Sequence, residues 1–249
     1  EPMLKLGEKG TILQRDKQTY AIAPHIPCGI TSPEQLRKIA DVAEKYGCQA
    51  LKLTSAARIA IIGLHEEDID QVWADLGMVP GHAVGLCVRS IKVCPGTDYC
   101  RLGLQDSLTM GMRLDDRYHG MELPNKMKMG VSGCTNNCAE NCIKDIALMG
   151  KKKGWNVTAG GNGAKKPRLA DLIAEELDDD AAIALGHHVR GHRPGQSKGA
   201  EEVGLHGLAP HTVEIGVVSL QRDRDDLAGG GLEPRSGSVR QAEAPVRTA

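Results

Sequence analysis

Four cysteines fall into two pairs, Cys94-x5-Cys100 and Cys134-x3-Cys138. Both pairs lie among glycine, proline and small polar residues, in Cys94-Pro95-Gly96 and Ser132-Gly133-Cys134-Thr135-Asn136-Asn137-Cys138. Four thiolates gathered by a fold are the ligand set of an iron–sulfur cluster. The spacing is neither the C-x2-C knuckle of structural zinc sites nor the compact run of small ferredoxins. It points to a cluster held between two loops of a larger domain. On spacing alone, a four-cysteine zinc site and four buried free thiols remain as alternatives.

Cations flank these pairs. Arg89 stands five residues before Cys94, and Lys126 and Lys128 stand two apart before Cys134. On an alternating strand Arg89 would share a face with Ile91 and Val93, and the two lysines would point to one side. Same-face lysines are ordinarily solvated charge. Here they lead directly into a ligand loop, which calls for an anion or a carboxylate-rich cofactor nearby. Arg58 offers a further cation. The remaining cysteines, Cys28, Cys48, Cys87 and Cys142, read as buried structural thiols. His187, His188 and His192 read as adventitious metal binders in an unstructured segment.

The elements that must position these groups follow from pattern. Residues 19–27 read as a strand. Ser32 caps a helix that opens on Pro33, keeps helical spacing at Leu36, Ile39, Ala40 and Ala43, and stops at Gly47. Residues 49–54 and 58–63 read as strands, 66–76 as an acidic-headed helix and 84–93 as a strand. That order, β-α-β-β-α-β, is the ferredoxin-like split pattern. Beyond Cys100 the pattern predicts helices over 101–118, 138–149 and 168–185, and strands over 126–132 and 155–159. Glycines at 160, 161 and 163 follow the last strand. The predicted architecture is α+β: an N-terminal extension over 1–17, a ferredoxin-like domain over 18–84 and an α/β cofactor domain over 85–185. A tail over 186–249 has the composition of a disordered segment.

Composition narrows the function. The chain has 249 residues, a net charge of -1, eight cysteines and no phenylalanine. Its charge balance offers no bulk attraction to nucleic acid or membrane, and no apolar run approaches a membrane span. With no export signal at its start, the cysteines read as reduced thiols in the cytoplasm.

Residues of about 18–185 resemble the siroheme-dependent sulfite and nitrite reductases. The matching pieces are Ile26-Pro27-Cys28-Gly29, Leu53-Thr54-Ser55, Val88-Arg89-Ser90-Ile91, the two cysteine pairs, Leu123-Pro124-Asn125-Lys126-Met127-Lys128, and Gly154-Trp155-Asn156-Val157 with Gly160-Gly161. The resemblance implies a [4Fe–4S] cluster on Cys94, Cys100, Cys134 and Cys138, with Cys138 also bridging to the siroheme iron. It implies that Arg58, Arg89, Lys126 and Lys128 face siroheme, and that Arg89, Lys126 and Lys128 also serve the substrate. Gly160 and Gly161 would offer backbone N–H groups to siroheme carboxylates. The implied reaction is the six-electron reduction of sulfite to sulfide. Nitrite reduction to ammonia by the same site, and a non-catalytic electron-transfer role, are the alternatives. No flavin or nicotinamide fingerprint is visible, so electrons would come from a separate carrier such as a ferredoxin.

Two departures stand out. Larger members place a substrate-binding arginine where this chain has Ala23, with His25 two residues on as a substitute cation or proton donor. Larger members also carry two copies of the unit and divide the cationic and cysteine motifs between them. A two-fold homodimer of this single-copy chain would restore that arrangement.

Overall fold

The computed structural model describes residues 4–190, with side chains through residue 186. The first sheet is antiparallel and contains β1 (Thr11–Leu13), β2 (Tyr20–Ile22), β3 (Ala50–Leu53) and β4 (Ile59–Leu64), in the order β1-β2-β4-β3. Two helices cover it, α1 (Pro33–Lys45) and α2 (Ile69–Leu76). Ser32 caps α1 by accepting a hydrogen bond from the Gln35 N–H at 3.1 Å, and Gly47 takes the left-handed conformation just past its end at φ 60°. The apolar stripe expected for α1 is buried at Ile39, Val42 and Ala43. It packs with Ile22, Ile61, Leu64, Val72 and Leu76.

The second layer contains β5 (Lys92–Val93), α3 (Gly96–Tyr99), α4 (Ser107–Tyr118), β6 (Met129–Ser132), β7 (Ile146–Lys151), β8 (Gly154–Ala159), β9 (Asp171–Leu177) and α5 (Asp179–Arg190). Its strands run in the order β5-β6-β7-β8-β9, parallel from β5 to β7 and antiparallel from β7 to β9. Leu114, Val131, Leu148, Trp155 and Val157 form its core. With no phenylalanine in the chain, Trp155, 1% exposed, is its largest fully buried side chain. The fold is α+β, and no described helix is long and apolar enough to cross a membrane.

Several element assignments differ from the sequence reading. The segment over 84–93 does not complete the first sheet. Its last two residues form β5 of the second sheet, while its earlier backbone groups bond to residues 120–127. The fourth strand of the first sheet is β1, inside the segment read as an extension. Residues 138–149 are not a helix. Asn137 and Glu140 adopt φ 57° and 59°, which breaks helical continuation. Ile146, Ala147 and Leu148 instead form a central strand buried on both faces. A short apolar run of this kind fits either state, and its neighbours decide. Residues 171–177 pair with β8 rather than joining a helix, and α5 begins later. There Asp178 accepts a hydrogen bond from the Ala181 N–H at 2.8 Å. The helix expected from residue 101 starts at Ser107, where Asp106 accepts from the Thr109 N–H at 2.9 Å. The expected tail lies beyond the described residues, except that α5 runs to Arg190.

Candidate cofactor and anion site

Cys94 and Cys134 come from the carboxyl ends of two neighbouring parallel strands. Val93 pairs with Val131 across β5 and β6, and the Cys94 N–H donates to the Val131 carbonyl at 3.1 Å. Both cysteine loops therefore leave the sheet at one edge, where open α/β sheets place ligands. Cys100 follows α3, and Cys138 lies in the turn after Cys134.

Glycines let the two loops touch. A β-carbon on Gly133 would lie 2.7 Å from the Gln105 carbonyl oxygen and 3.0 Å from Gly96 Cα. One on Gly96 would lie 2.3 Å from Ser107 Oγ, and one on Gly150 would lie 2.5 Å from the Gly133 carbonyl oxygen. This contact brings the Gly133 N–H to 3.0 Å from Cys94 Sγ, with Ser107 Oγ at 3.4 Å from the same sulfur. Hydrogen bonds to cluster sulfurs lower the electron density there and tune the potential. Asn141, fully buried, fixes the second loop. Its amide nitrogen donates to the Leu148 carbonyl at 2.6 Å, and its backbone N–H donates to Asn137 Oδ1 at 2.6 Å. Ser132 Oγ accepts from the Ala139 N–H at 3.0 Å.

Among the described residues, no three of the four thiols have sulfurs within 4.8 Å of one another. A zinc tetrahedron with Zn–S bonds of ~2.3 Å needs sulfurs about 3.8 Å apart. The four thiols are therefore not gathered into a closed tetrahedral zinc site. Cys94 and Cys134 are buried, Cys100 is half-buried and Cys138 is exposed. Cys28, 4% exposed, packs against Gly111 of α4, beside Val93. Burial, then the charge of Asp115, pushes its thiol up to about 12.

The cations gather at the opposite ends of β5 and β6. The Arg89 N–H donates to the Met127 carbonyl at 2.9 Å, and the Met127 N–H donates to the Cys87 carbonyl at 3.0 Å. This pairing lays the exposed Lys126 and Lys128, on either side of half-buried Met127, beside Arg89. The same-side placement expected from the spacing of the lysines is seen, although they precede β6 rather than sit within it. The Arg89 guanidinium is held by carbonyls, donating to His82 at 3.1 Å, to Gly85 at 2.8 Å, and to Ala83. Arg58, 7% exposed, donates to the Gly81 carbonyl and, at 3.1 Å, to Ser90 Oγ. Neither arginine pairs with a carboxylate among the described residues, and each keeps a buried Nε with no partner. Burial, then the charge of Arg89, lowers the pKa of Arg58. A buried guanidinium at Arg58 and a half-buried one at Arg89, both without carboxylate counterions, suit an anionic ligand.

Gly160 donates its N–H to the Asp145 carbonyl at 2.9 Å, so that donor is not free for a cofactor carboxylate. A β-carbon on Gly161 would lie 2.5 Å from the Lys144 carbonyl oxygen. Close backbone packing therefore accounts for this glycine. Sequence reasoning missed three parts of the region: the Asn141 loop clamp, the Ser107 contact to Cys94, and a His25–Asp115–His119 group beside the arginines. His25 meets Asp115 across 90 positions, and the nearer partners of Asn141 and Ser107 are set by loop turns that no residue spacing signals.

The donor sets fit a [4Fe–4S] cluster and a polycarboxylate macrocycle. Cys94, Cys100, Cys134 and Cys138 would hold the first, and Arg58, Arg89, Lys126 and Lys128 would face the second.

Comparison with known proteins agrees. A family model described as the nitrite and sulphite reductase 4Fe-4S domain matches residues 84–189. A second, the nitrite/sulfite reductase ferredoxin-like half domain, matches residues 12–79, beginning within β1. The chain is 45% identical over 177 residues to an assimilatory-type sulfite reductase of Nitratidesulfovibrio vulgaris, covering 71% of this chain and 81% of that one. It is 43% identical over 171 residues to a nitrite reductase [NAD(P)H] of Bacillus subtilis, covering 69% of this chain but only 21% of that one. Dissimilatory sulfite reductase I shares the fold with a TM-score of 0.62 at 13% identity, over 69% of this chain and 62% of that one. The Mycobacterium tuberculosis NirA protein does so with 0.59 at 19%, over 65% and 32%. The chain belongs to the nitrite and sulphite reductase family.

Proposed function

We propose that this chain, with siroheme and a [4Fe–4S] cluster, reduces sulfite to sulfide using electrons from a separate low-potential carrier such as a ferredoxin. The observation that carries the reading is the pairing of β5 with β6. It sets four thiols at one end and the Arg89, Lys126 and Lys128 cations at the other. The similarity to an assimilatory-type sulfite reductase along most of that protein's length supports sulfite as substrate. Nitrite reduction at the same site is the second reading, favoured by the 43% identity to the Bacillus subtilis nitrite reductase.

Cys94, Cys100, Cys134 and Cys138 would hold the cluster, and the exposed Cys138 would be the thiolate that also reaches siroheme. When bound, the coupled cofactors supply electrons one at a time to a small oxyanion. Arg58 and Arg89 neutralise siroheme carboxylates. Arg89, Lys126 and Lys128 bind the anion, polarise its oxygens and stabilise their departure. Eight free cysteines suit a reducing compartment such as the cytoplasm.

The separation of the two sets also supports a two-fold homodimer. Cys134 lies six positions after Lys128, a reach of up to about 20 Å in extended chain. A partner copy turned end for end would lay its thiols beside these cations. A single-subunit mass at micromolar concentration would refute that arrangement.

The deciding experiment is an optical spectrum of the reduced holoprotein with sulfite and with nitrite, followed by turnover with a reduced donor. Perturbation of the haem bands with sulfite turnover is expected. If neither anion perturbs the spectrum, the enzyme reading fails.

A further inference from the structure

All the buried side-chain atoms that lack a hydrogen-bond partner among the described residues belong to one cluster: His25 Nδ1, Arg58 Nε, Arg89 Nε, Asp115 Oδ1 and His119 Nε2. Orphaned polar atoms are rare in folded proteins, and their concentration at one place asks for a functional cause. The two arginines are accounted for by the anion they face. The histidines and the aspartate are not.

Their geometry is specific. His25, just after β2, places Nε2 2.6 Å from Asp115 Oδ2 on α4, and the two are only 9% and 4% exposed. His119, one helical turn beyond Asp115, stacks on His25 with ring centroids 3.5 Å apart and planes 9° apart. His82 meets the edge of His119 at 4.9 Å and 74° and is exposed to solvent. Its carbonyl accepts from Arg89. A line of ionisable groups therefore runs from the surface at His82, through His119, to His25 and Asp115 in the interior, beside Arg58 and Arg89.

His25, Asp115 and His119 also offer ligand atoms within 4.8 Å of one another, which raises a metal site. The stacking argues against it. An imidazole ligates through a lone pair in its ring plane, and two parallel rings at this separation cannot both aim at one ion. A proton is the species this geometry can hold and pass. N–H and lone pair lie in the ring plane, so transfer between the stacked rings runs not face to face but through water bridging their nitrogens at the ring edges.

We propose that His82, His119, His25 and Asp115 form a proton relay from solvent to the oxyanion bound at Arg89. The relay rests on the oxyanion-reductase reading above. The groups facing His25 are Asp115 and His119 from α4 and His82 from the loop after α2, with Arg58 and Arg89 beyond. Burial, then the charge of His25, pushes His119 down to about 4, so near neutral pH it is an uncharged ring able to take up and pass on a proton. Burial, then His25, Arg58 and Arg89, lowers His82 as well. In the step itself a proton passes from His25 to an anion oxygen. With a second proton and two electrons from the reduced carrier protein, that oxygen departs as water. His25 regains its proton from solvent through His119 and His82. Asp115 Oδ2, 2.6 Å from His25 Nε2, fixes the orientation of the ring.

The test uses the holoenzyme with sulfite and reduced methyl viologen, comparing wild type, His25→Gln and His82→Gln across pH in H2O and D2O. His25→Gln should lower kcat about 100-fold near neutral pH with little change in sulfite KM, a loss typical of general acid catalysis. His82→Gln should slow turnover less, enlarge the solvent isotope effect and be rescued by added imidazole. A separate readout is the affinity for nitrite, which does not itself titrate near neutral pH, followed in the visible spectrum. It should strengthen as pH falls in wild type and lose that dependence in His25→Gln. Should His25→Gln not fold, the exposed His82→Gln variant decides. If wild type turns over and both variants keep its pH profile and isotope effect, the relay is overturned and the function stands. If wild type reduces neither anion, both fall.

Discussion

The Gly133 N–H donates to Cys94 Sγ at 3.0 Å, a bond that reaches from one cysteine loop to the other and exists only because position 133 has no side chain. A β-carbon there would sit 2.7 Å from the Gln105 carbonyl oxygen. Gly133→Ala should therefore push the loops apart. Iron and acid-labile sulfide content should fall sharply, with a stability loss of about 1–3 kcal/mol from overpacking. Full cluster loading in this variant would show that the loops are not held by this contact.

Asn141 clamps the second loop from inside. Removing its amide strands the Leu148 carbonyl in a fully buried setting. Asn141→Ala should cost about 2 kcal/mol, seen as a Tm lower by several degrees, and should reduce cluster retention during gel filtration.

Arg58 should show effects of different size in apo- and holoprotein. Apo Arg58→Met loses its hydrogen bonds to Gly81 and Ser90 but also relieves a buried charge with no counterion. Its apo-stability should change by no more than about 1 kcal/mol. Siroheme content after reconstitution should drop severalfold. Equal losses in both states would mark Arg58 as structural.

Cys138 is the exposed member of the four thiols. Cys138→Ser should uncouple haem from cluster in the spectrum of the reduced protein and abolish turnover. Normal activity would refute its assignment as the shared ligand.

Acid should destabilise the fold through His119. Its folded pKa is held near 4, below the ordinary 6.5, by burial first and the neighbouring His25 second. Below 6.5 the unfolded chain binds this proton while the folded chain does not. Stability is thus full above about pH 6.5 and is lost progressively as pH falls toward 4. Denaturant midpoints across this range should fall for wild type and fall less for His119→Gln.

The sequence alone determined the chemistry-bearing residues and most of the first layer. Cysteine spacing and the Lys-x-Lys pair are local facts, and so are the Ser32 cap and the Gly47 stop that bound α1. Only the tertiary structure decided the rest. Residues 146–149 are a strand because β6, parallel, and β8, antiparallel, satisfy their backbone on both sides, and residues 171–177 pair with β8 despite helix-forming alanine and glutamate. The first sheet takes its fourth strand from Thr11–Leu13 through a short hairpin to Tyr20–Ile22, and a run of three residues carries too little alternation to announce a strand. His25, Asp115 and His119 meet across up to 94 positions of sequence: burial and hydrogen bonding between layers, not neighbouring residues, bring them together. The two cysteine pairs were legible from the start, but that they meet through a glycine contact at the carboxyl ends of β5 and β6, away from the cations, follows from strand direction alone.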